Sequence, residues 1–515
     1  MKALEKNIAA RVKLGPFVAA VAVPLIVTSL LYLVRLNDVS LSQCVIAFAL
    51  LLLPWQDYRK WRQAGRSSLP IFPMLGLMYW LYYGVPLFLE DHVFATVTEP
   101  IGHQLTTDTI TLALIMALIG VCSLWLGIRS GFARLLVPRA KLSVELTQAK
   151  LNYVRAILII GSLLGLSESP TQLAGDGGRQ IITIIVSLVP ILAFAILFRH
   201  FIRGHSNVVD KVLVFGFLIV RLVGGLSSGW LGVSASILVI CGAIYLMEHR
   251  RIPRWALIFV VLFTLFFQVG KDDFRRTYWQ AGSIGAQQEQ GGRVERVAFW
   301  AQNSFEKWNE ALSDSSGESI RRVLNPSVSR ISLLNQSANV VELTPSVVPY
   351  QYGWLYSYIA ITWIPRFVWP DKPSMSEANQ YYQVAYGLSE EEDLNRVAIS
   401  VGLLTEAYMN FGWAGVVGVM FLIGIFFDFY QKAFLSKTSG ALMTGIGVIL
   451  LPQFLAVESQ MAQYVGGIVQ QVFVTLVVML PIIRIQGLRS RGLAGPINAL
   501  SAAAGHVEVN PLPNS

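Results

Sequence analysis

The sequence predicts an all-α polytopic membrane protein: about twelve transmembrane helices, with one large extracytoplasmic loop between the ninth and tenth. Three observations predict it. Apolar runs recur from end to end, and a run of roughly twenty residues crosses about 30 Å of hydrocarbon as a helix. Hydrophobic residues make up 54% of the 515-residue chain and charged residues only 14%, against roughly a quarter charged in soluble domains. Lys and Arg gather at alternate connections between the runs, as the positive-inside rule requires. Backbone polar groups cannot stay unpaired in lipid, so the runs form helices or a closed barrel, and their continuous apolar character excludes barrel strands.

The runs lie at about 15–34, 39–55, 69–89, 108–128, 152–167, 180–199, 211–226, 230–248, 254–270, 399–427, 440–458 and 464–483. Basic residues mark every second connection: Lys6 and Arg11, Arg59 and Lys60, Arg134 and Arg139, Arg199 and Arg203, Arg250 and Arg251, Lys432 and Lys437, Arg484 and Arg489. The opposite ends, such as Glu90–His92 and the tight Gly224–Gly229 turn, are poor in Lys and Arg. Both termini are therefore expected in the cytoplasm. The run after the basic Met1–Lys13 segment is too long for a signal peptide's apolar core and reads as a retained span. This layout divides the chain into spans 1–9 over 1–270, a loop or cap over 271–398, spans 10–12 over 399–486, and a disordered cytoplasmic tail over 487–515. The net charge of +9 sits mostly in short loops, where it sets orientation and does not signal nucleic acid. Cys44, Cys122 and Cys241 lie inside apolar runs with no disulfide or metal spacing.

The connection from Lys271 to about Ala398 breaks the pattern of short loops. Loops of that length are usually functional or disordered. This one holds Trp279, Trp300, Trp308, Trp354, Trp363 and Trp369 and a half-apolar stretch, Tyr352–Trp369. Trp and Tyr suit the interfacial belt, with one edge apolar and the other wet, so the loop reads as a folded cap on the outer leaflet.

Four places can carry chemistry. Lys271-Asp272-Asp273-Phe274-Arg275-Arg276 follows a span directly. It is either a solvated helix end with internal Asp–Arg pairing or an anion clamp, since Arg presents a planar fork of donors to phosphate oxygens. Arg366, Asp371 and Lys372 lie among prolines that fix the local backbone, as a structural turn or as a rigid grip on a head group. Arg221 sits inside an apolar run; an intramembrane charge is a functional-site hypothesis, with snorkelling to the interface as the alternative. Glu406, Tyr408 and Asn410 fall early in the long tenth span. A carboxylate there serves as a general base or as a strut to a cation. Tyr408 and Asn410 can hydrogen-bond sugar hydroxyls or neighbouring helices. Glu458, at the outer end of the eleventh span, reads as an interfacial residue.

Other chemistries are missing from the pattern. The six histidines lie outside the large loop without ligand spacing, so no metal site is expected. There is no phosphate-binding loop and no dinucleotide motif, and no cofactor is expected. Any substrate should arrive already activated, in or across the membrane.

Three stretches carry a resemblance: Gly270–Arg276, Ile364-Pro365-Arg366-Phe367-Val368-Trp369-Pro370-Asp371-Lys372-Pro373, and Gly402-Leu403-Leu404-Thr405-Glu406-Ala407-Tyr408-Met409-Asn410-Phe411-Gly412. Their order and the hydropathy layout resemble the O-antigen polymerase family of the Wzy type, which polymerises oligosaccharide repeat units. The resemblance implies a fold like that of the C-type membrane glycosyltransferases, without metal, in a bacterial inner membrane. It implies an undecaprenyl-diphosphate-linked oligosaccharide substrate on the periplasmic leaflet, membrane lipids around it, and a chain-length regulator and flippase as partners. Arg221, Lys271, Arg275, Arg276 and Lys372 would then grip the diphosphate with Tyr408 and Asn410 at the substrate, and Arg366, Glu406 and Asp371 would be catalytic. An O-antigen ligase and a lipid-linked glycan transporter are the alternatives. A ligase is expected to carry a histidine in the large loop, and none is present in Lys271–Ala398.

Overall fold

The computed structural model describes residues 21–486 except 34–38, 66–67, 98–101, 138–140, 144–146, 167–174, 280–291, 314–324, 326–327, 363, 365–367, 375, 395–398 and 437–438, and the side chains of 165–166, 175–180, 141–143, 441 and 484–486. The expected tail over 487–515 and Arg366 lie outside the described residues.

The chain is an all-α polytopic membrane protein. A helix stands at each apolar run: α1 (Val21–Leu33), α2 (Leu41–Gln63), α3 (Ile71–Leu89), α4 (Thr107–Arg129), α5 (Gln148–Leu166), α6 (Gly175–Ile202), α7 (Val208–Ser227), α8 (Leu231–His249) and α9 (Arg254–Val269). The large loop adds α10 (Lys271–Tyr278), α11 (Arg293–Ser313), α12 (Leu334–Leu343), α13 (Trp354–Thr362) and α14 (Glu377–Ala385). The last three are α15 (Leu403–Phe434), α16 (Ala441–Leu455) and α17 (Met461–Met479). Among the described residues six helices are long and apolar enough to cross a bilayer, or seven if α9 and α10, bent by 52°, form one span. The others that coincide with apolar runs are shorter, less apolar or more charged.

Local sequence explains several helix starts. Ser40 and Gln43 close a capping box on α2, and Asn207 and Asp210 close one on α7. The Thr106 hydroxyl accepts the Thr109 amide at the start of α4. Packing between helices uses small residues. A Cβ on Gly127 of α4 would stand 2.1 Å from the Phe421 carbonyl oxygen and 2.8 Å from Gly424 Cα, so α4 and α15 touch backbone to backbone. At the helix ends that carry the basic residues, Glu248 accepts from Arg199 at 2.5 Å and from Arg203 at 2.9 Å, and Asp210 accepts from Arg155 at 2.7 Å. Two short antiparallel ladders complete the fold, Val93–Phe94 with His103–Gln104 and Lys141–Ser143 with Arg484–Gln486.

Two helix breaks shape the end of the molecule that carries the large loop. One falls at Gly270, between α9 and α10. The other lies inside α15, where Phe411 and Gly412 leave helical geometry and Gly412 takes φ 59° and ψ −144°. That backbone region is open essentially to glycine alone. After the break the chain folds back so closely that a Cβ on Gly415 would stand 2.1 Å from the Ala407 carbonyl oxygen. The tenth apolar run is therefore not one continuous span. Leu403–Asn410 is a separate half-helix, buried at every residue, and the membrane-length stretch begins beyond Gly412.

Candidate active site

The first constellation is built on α10. Gly229 closes the α7–α8 turn with φ 76°, and the rings of Phe274 and Trp279 fill the space a side chain would take there. Trp279 also donates Nε1–H to the Ser228 carbonyl at 3.2 Å. A buried cluster of Leu226, Leu231, Phe267, Phe274, Tyr278 and Trp300 seats α10 and α11 on the ends of α7, α8 and α9. The Arg275 guanidinium is thereby held 4.1 Å from the Trp279 ring centroid and 5.4 Å from that of Trp230. Stacking fixes its plane while the charge stays available. Around it, Lys307 pairs with Asp273 at 2.5 Å and Arg330 with Asp272 at 2.8 Å. Lys271 lies within electrostatic reach of Arg275 and Arg330, both of which repel it. Lys271, Arg275, Arg276, Lys307 and Arg330 outnumber the two acids, so the patch attracts an anion. Sequence reasoning brought Lys271, Arg275 and Arg276 forward but missed Arg330. No local pattern marks it, because only the fold of the loop carries it to α10.

Arg330 also joins this patch to a second constellation. Three residues on, Leu333 donates its amide to the Tyr82 carbonyl at 3.0 Å and packs its side chain on Gly402. Gly402 begins the half-helix that carries Glu406. The stretches around Lys271 and Glu406, far apart in sequence, are thus bridged by a single turn of the loop.

The Glu406 side chain is fully buried. Its Oε2 accepts the Met461 amide at 2.6 Å, at the first turn of α17. The helix leaves its first amides unpaired and its dipole is positive there, which suits an oxygen acceptor. Oε1 is buried without a hydrogen-bond partner among the described residues. Tyr356 of α13 faces both Glu406 and Asn410. Asn410 is a latch at the helix break: its Nδ2 donates to the Glu406 carbonyl at 2.9 Å and its Oδ1 accepts the Gly353 amide at 3.1 Å. Next to Glu406, the Thr405 hydroxyl meets Ser337 at 2.6 Å, which meets Tyr83 at 3.1 Å. The Tyr408 ring packs between those of Tyr350 and Trp413. Glu458 lies in the turn before α17, where burial pushes its carboxyl above the ordinary value, opposed in part by the Tyr82 hydroxyl.

The other predicted residues stand elsewhere. Lys372 is only 4% exposed, and its Nζ donates to the carbonyls of Ile364, at 2.8 Å, and Thr362, at 3.5 Å. It therefore caps the C-terminal end of α13, where a cation suits the helix dipole. Asp371 is exposed in the preceding turn. Arg221 donates Nη2–H to the Ser187 carbonyl of α6 at 2.7 Å and lies 5.6 Å from the Phe217 ring, a strut between α6 and α7. Among the described residues no group of three or more His, Cys, Asp or Glu side chains is placed to hold a metal ion.

Residues 313–485 match the family model described as O-antigen polysaccharide polymerase Wzy. Over that stretch the chain is similar to polymerases of the Wzy type. No curated protein and no solved structure matches the chain. The match runs from the end of α11 through α17, so it takes in Arg330, Arg366, Asp371, Lys372, Glu406 and the α15 break. Lys271, Arg275 and Arg276 precede it. The Wzy-type resemblance read from the sequence thus stands on the segment that contains two of the three stretches quoted for it. The chain is a multi-pass membrane protein by its apolar helices, and its matched stretch is similar to polymerases of polysaccharide biosynthesis.

Proposed function

We propose that this protein joins undecaprenyl-diphosphate-linked oligosaccharide repeat units at the periplasmic face of the inner membrane, with about twelve spans, both termini cytoplasmic and residues 271–398 as the outer cap. The observation that carries the reading is the adjacency of the cationic patch to the Glu406 half-helix inside a Wzy-type segment. A lipid diphosphate leaving group gains negative charge as its bond to the anomeric carbon breaks. Preorganised cations aimed at that charge in a dry site contribute several kcal/mol, roughly 3–4 for a single well-placed donor. Arg275, Arg330, Lys271 and Arg276 supply them, with Arg366 as a further candidate. The acceptor hydroxyl attacks the anomeric carbon of the growing chain, the carbon–oxygen bond to the diphosphate breaks, and the hydroxyl proton passes to a carboxylate. Glu406 Oε1, buried and without a partner among the described residues, suits that role better than exposed Asp371.

The test uses the full chain in nanodiscs with the host's own lipid-linked repeat units, and the products run on a gel. A ladder at repeat-unit spacing from the wild type, lost in Arg275→Ala and Arg366→Ala, supports the reading. Intact substrate with no ladder overturns it. Transfer to an added lipid A core acceptor would then identify a ligase.

A further inference from the structure

The α15 break leaves helical carbonyls without intrahelical partners, and the loop supplies the missing donors. The Gln351 amide bonds the Met409 carbonyl at 3.0 Å and the Tyr352 amide bonds the Asn410 carbonyl at 2.9 Å. With the Gly353–Asn410 bond, three successive amides hold this turn rigidly to the break. Tyr352 itself takes φ 47°, the left-handed region that a bulky side chain rarely adopts. Yet its side chain is not needed for packing, because the residue is 79% exposed. A strained, rigidly mounted and exposed aromatic residue points to a role in binding.

Its neighbours extend the surface. Tyr352 meets Tyr350, which meets Tyr408, which meets Trp413, at centroid distances of 6.3, 6.2 and 5.6 Å. On the other side of the turn Trp354 meets Tyr381 at 5.8 Å, and the Tyr381 hydroxyl accepts from Gln351 Nε2. Trp354 is 46% exposed and Trp413 37%. This aromatic row is mounted on the same break that positions Glu406.

We propose that the row formed by Tyr352, Trp354 and Trp413 is an oligosaccharide-binding platform that holds the growing glycan beside the reaction centre. The inference rests on the polymerase reading for its ligand. Sugar rings present faces of C–H groups that pack on aromatic faces, and flanking hydroxyls and amides take up their polar edges. A polymer that changes lipid carriers at every cycle needs a hold on its sugars, since the diphosphate grip is released each time. The alternative occupant of exposed Trp and Tyr at this level is the lipid interface. A membrane anchor gains nothing from a strained backbone, whereas a platform of fixed ring positions does.

The experiment measures binding of a delipidated oligosaccharide, released by mild acid from the host's own polymer, to the full chain in nanodiscs by saturation-transfer NMR. Product length is read from the polymerisation ladder. Tyr352→Asn suits the left-handed backbone, so it keeps the fold while removing the ring. Tyr352→Asn and Trp354→Leu are expected to weaken glycan binding about 5- to 10-fold and to shorten the product more than they slow the first linkage. Tyr352→Phe, which keeps the ring, should bind like the wild type. Unchanged affinity and ladder length in Tyr352→Asn overturn the platform and leave the polymerase reading standing. A wild type without a ladder refutes the polymerase reading instead, and the NMR titration still decides the platform. A nitroxide at position 352 that is reached by oxygen and not by aqueous nickel chelate also overturns it, because the ring is then a lipid anchor.

Discussion

The Glu406 carboxylate accepts the Met461 backbone amide at 2.6 Å, across fifty-five residues of sequence. One oxygen thus anchors α17 while the other remains buried and without a partner among the described residues. The two oxygens predict separable effects. Glu406→Gln keeps an acceptor for Met461, so its thermal unfolding should stay close to the wild type. Loss of a general base should lower the transfer rate roughly 100- to 10,000-fold. Glu406→Ala also leaves the buried amide unpaired, at a cost of about 1–3 kcal/mol of stability. Unfolding temperatures in detergent beside ladder rates separate the cases. A Gln variant that polymerises at the wild-type rate removes Glu406 from the chemistry and leaves it a helix cap.

Gly412 makes a second case. At φ 59° and ψ −144°, with the Tyr350 hydroxyl 2.8 Å from where a Cβ would stand, Gly412→Ala is strained in both backbone and contact. The expected cost is on the order of 1–3 kcal/mol. The damage should be local, releasing the 350–353 turn. Hydrogen exchange at the Gln351, Tyr352 and Gly353 amides checks it: faster exchange there, with α4 unchanged, is expected. Uniform protection would show that the break does not depend on glycine.

These cases also mark what could be read beforehand. The helices were legible because lipid forces long apolar runs into that one local structure. The Gly270 bend was partly legible, since Lys271-Asp272-Asp273 cannot continue an apolar helix into hydrocarbon. The α15 break was not: Asn410-Phe411-Gly412 stands in an apolar run that tolerates glycine, and the partners that stabilise the break come from 350–353. Arg330 was invisible for a related reason, because its meaning depends on Asp272, reached only through the folded loop. Glu406 was picked out by its burial in an apolar segment, but its capping role needs Met461, which no local pattern announces.

Arg275 tests whether the cationic patch works by charge alone. Lysine at this position keeps the charge but loses the planar fork and the stacking on Trp279. A charge-assisted hydrogen bond contributes about 1.5–3 kcal/mol, so Arg275→Lys should reduce kcat/KM for the lipid-linked substrate about 10- to 150-fold. Arg330→Gln should act in the same direction. Initial rates over a substrate series provide the measurement. Wild-type kcat/KM in both variants would exclude the patch from substrate binding.

Lys372 offers the opposite expectation. Its ammonium is engaged by the Ile364 and Thr362 carbonyls, and Gln470 Nε2 also donates to Thr362, at 3.2 Å. The Thr362 side chain in turn fills the space beside Gly466, so the end of α13 is pinned about 7–8 Å along α17 from its start, at 1.5 Å per residue. Lys372→Met keeps the apolar stem but withdraws the donor from Ile364. Removing the donor to this partly buried carbonyl should destabilise the protein by about 1 kcal/mol. Substrate KM should stay near the wild-type value once the folded fraction is taken into account. A diphosphate-binding lysine would behave in reverse, with unfolding unchanged and KM raised. Unfolding curves and KM on the same preparation therefore distinguish a cap from a grip, and a raised KM at full stability would move Lys372 into the substrate site.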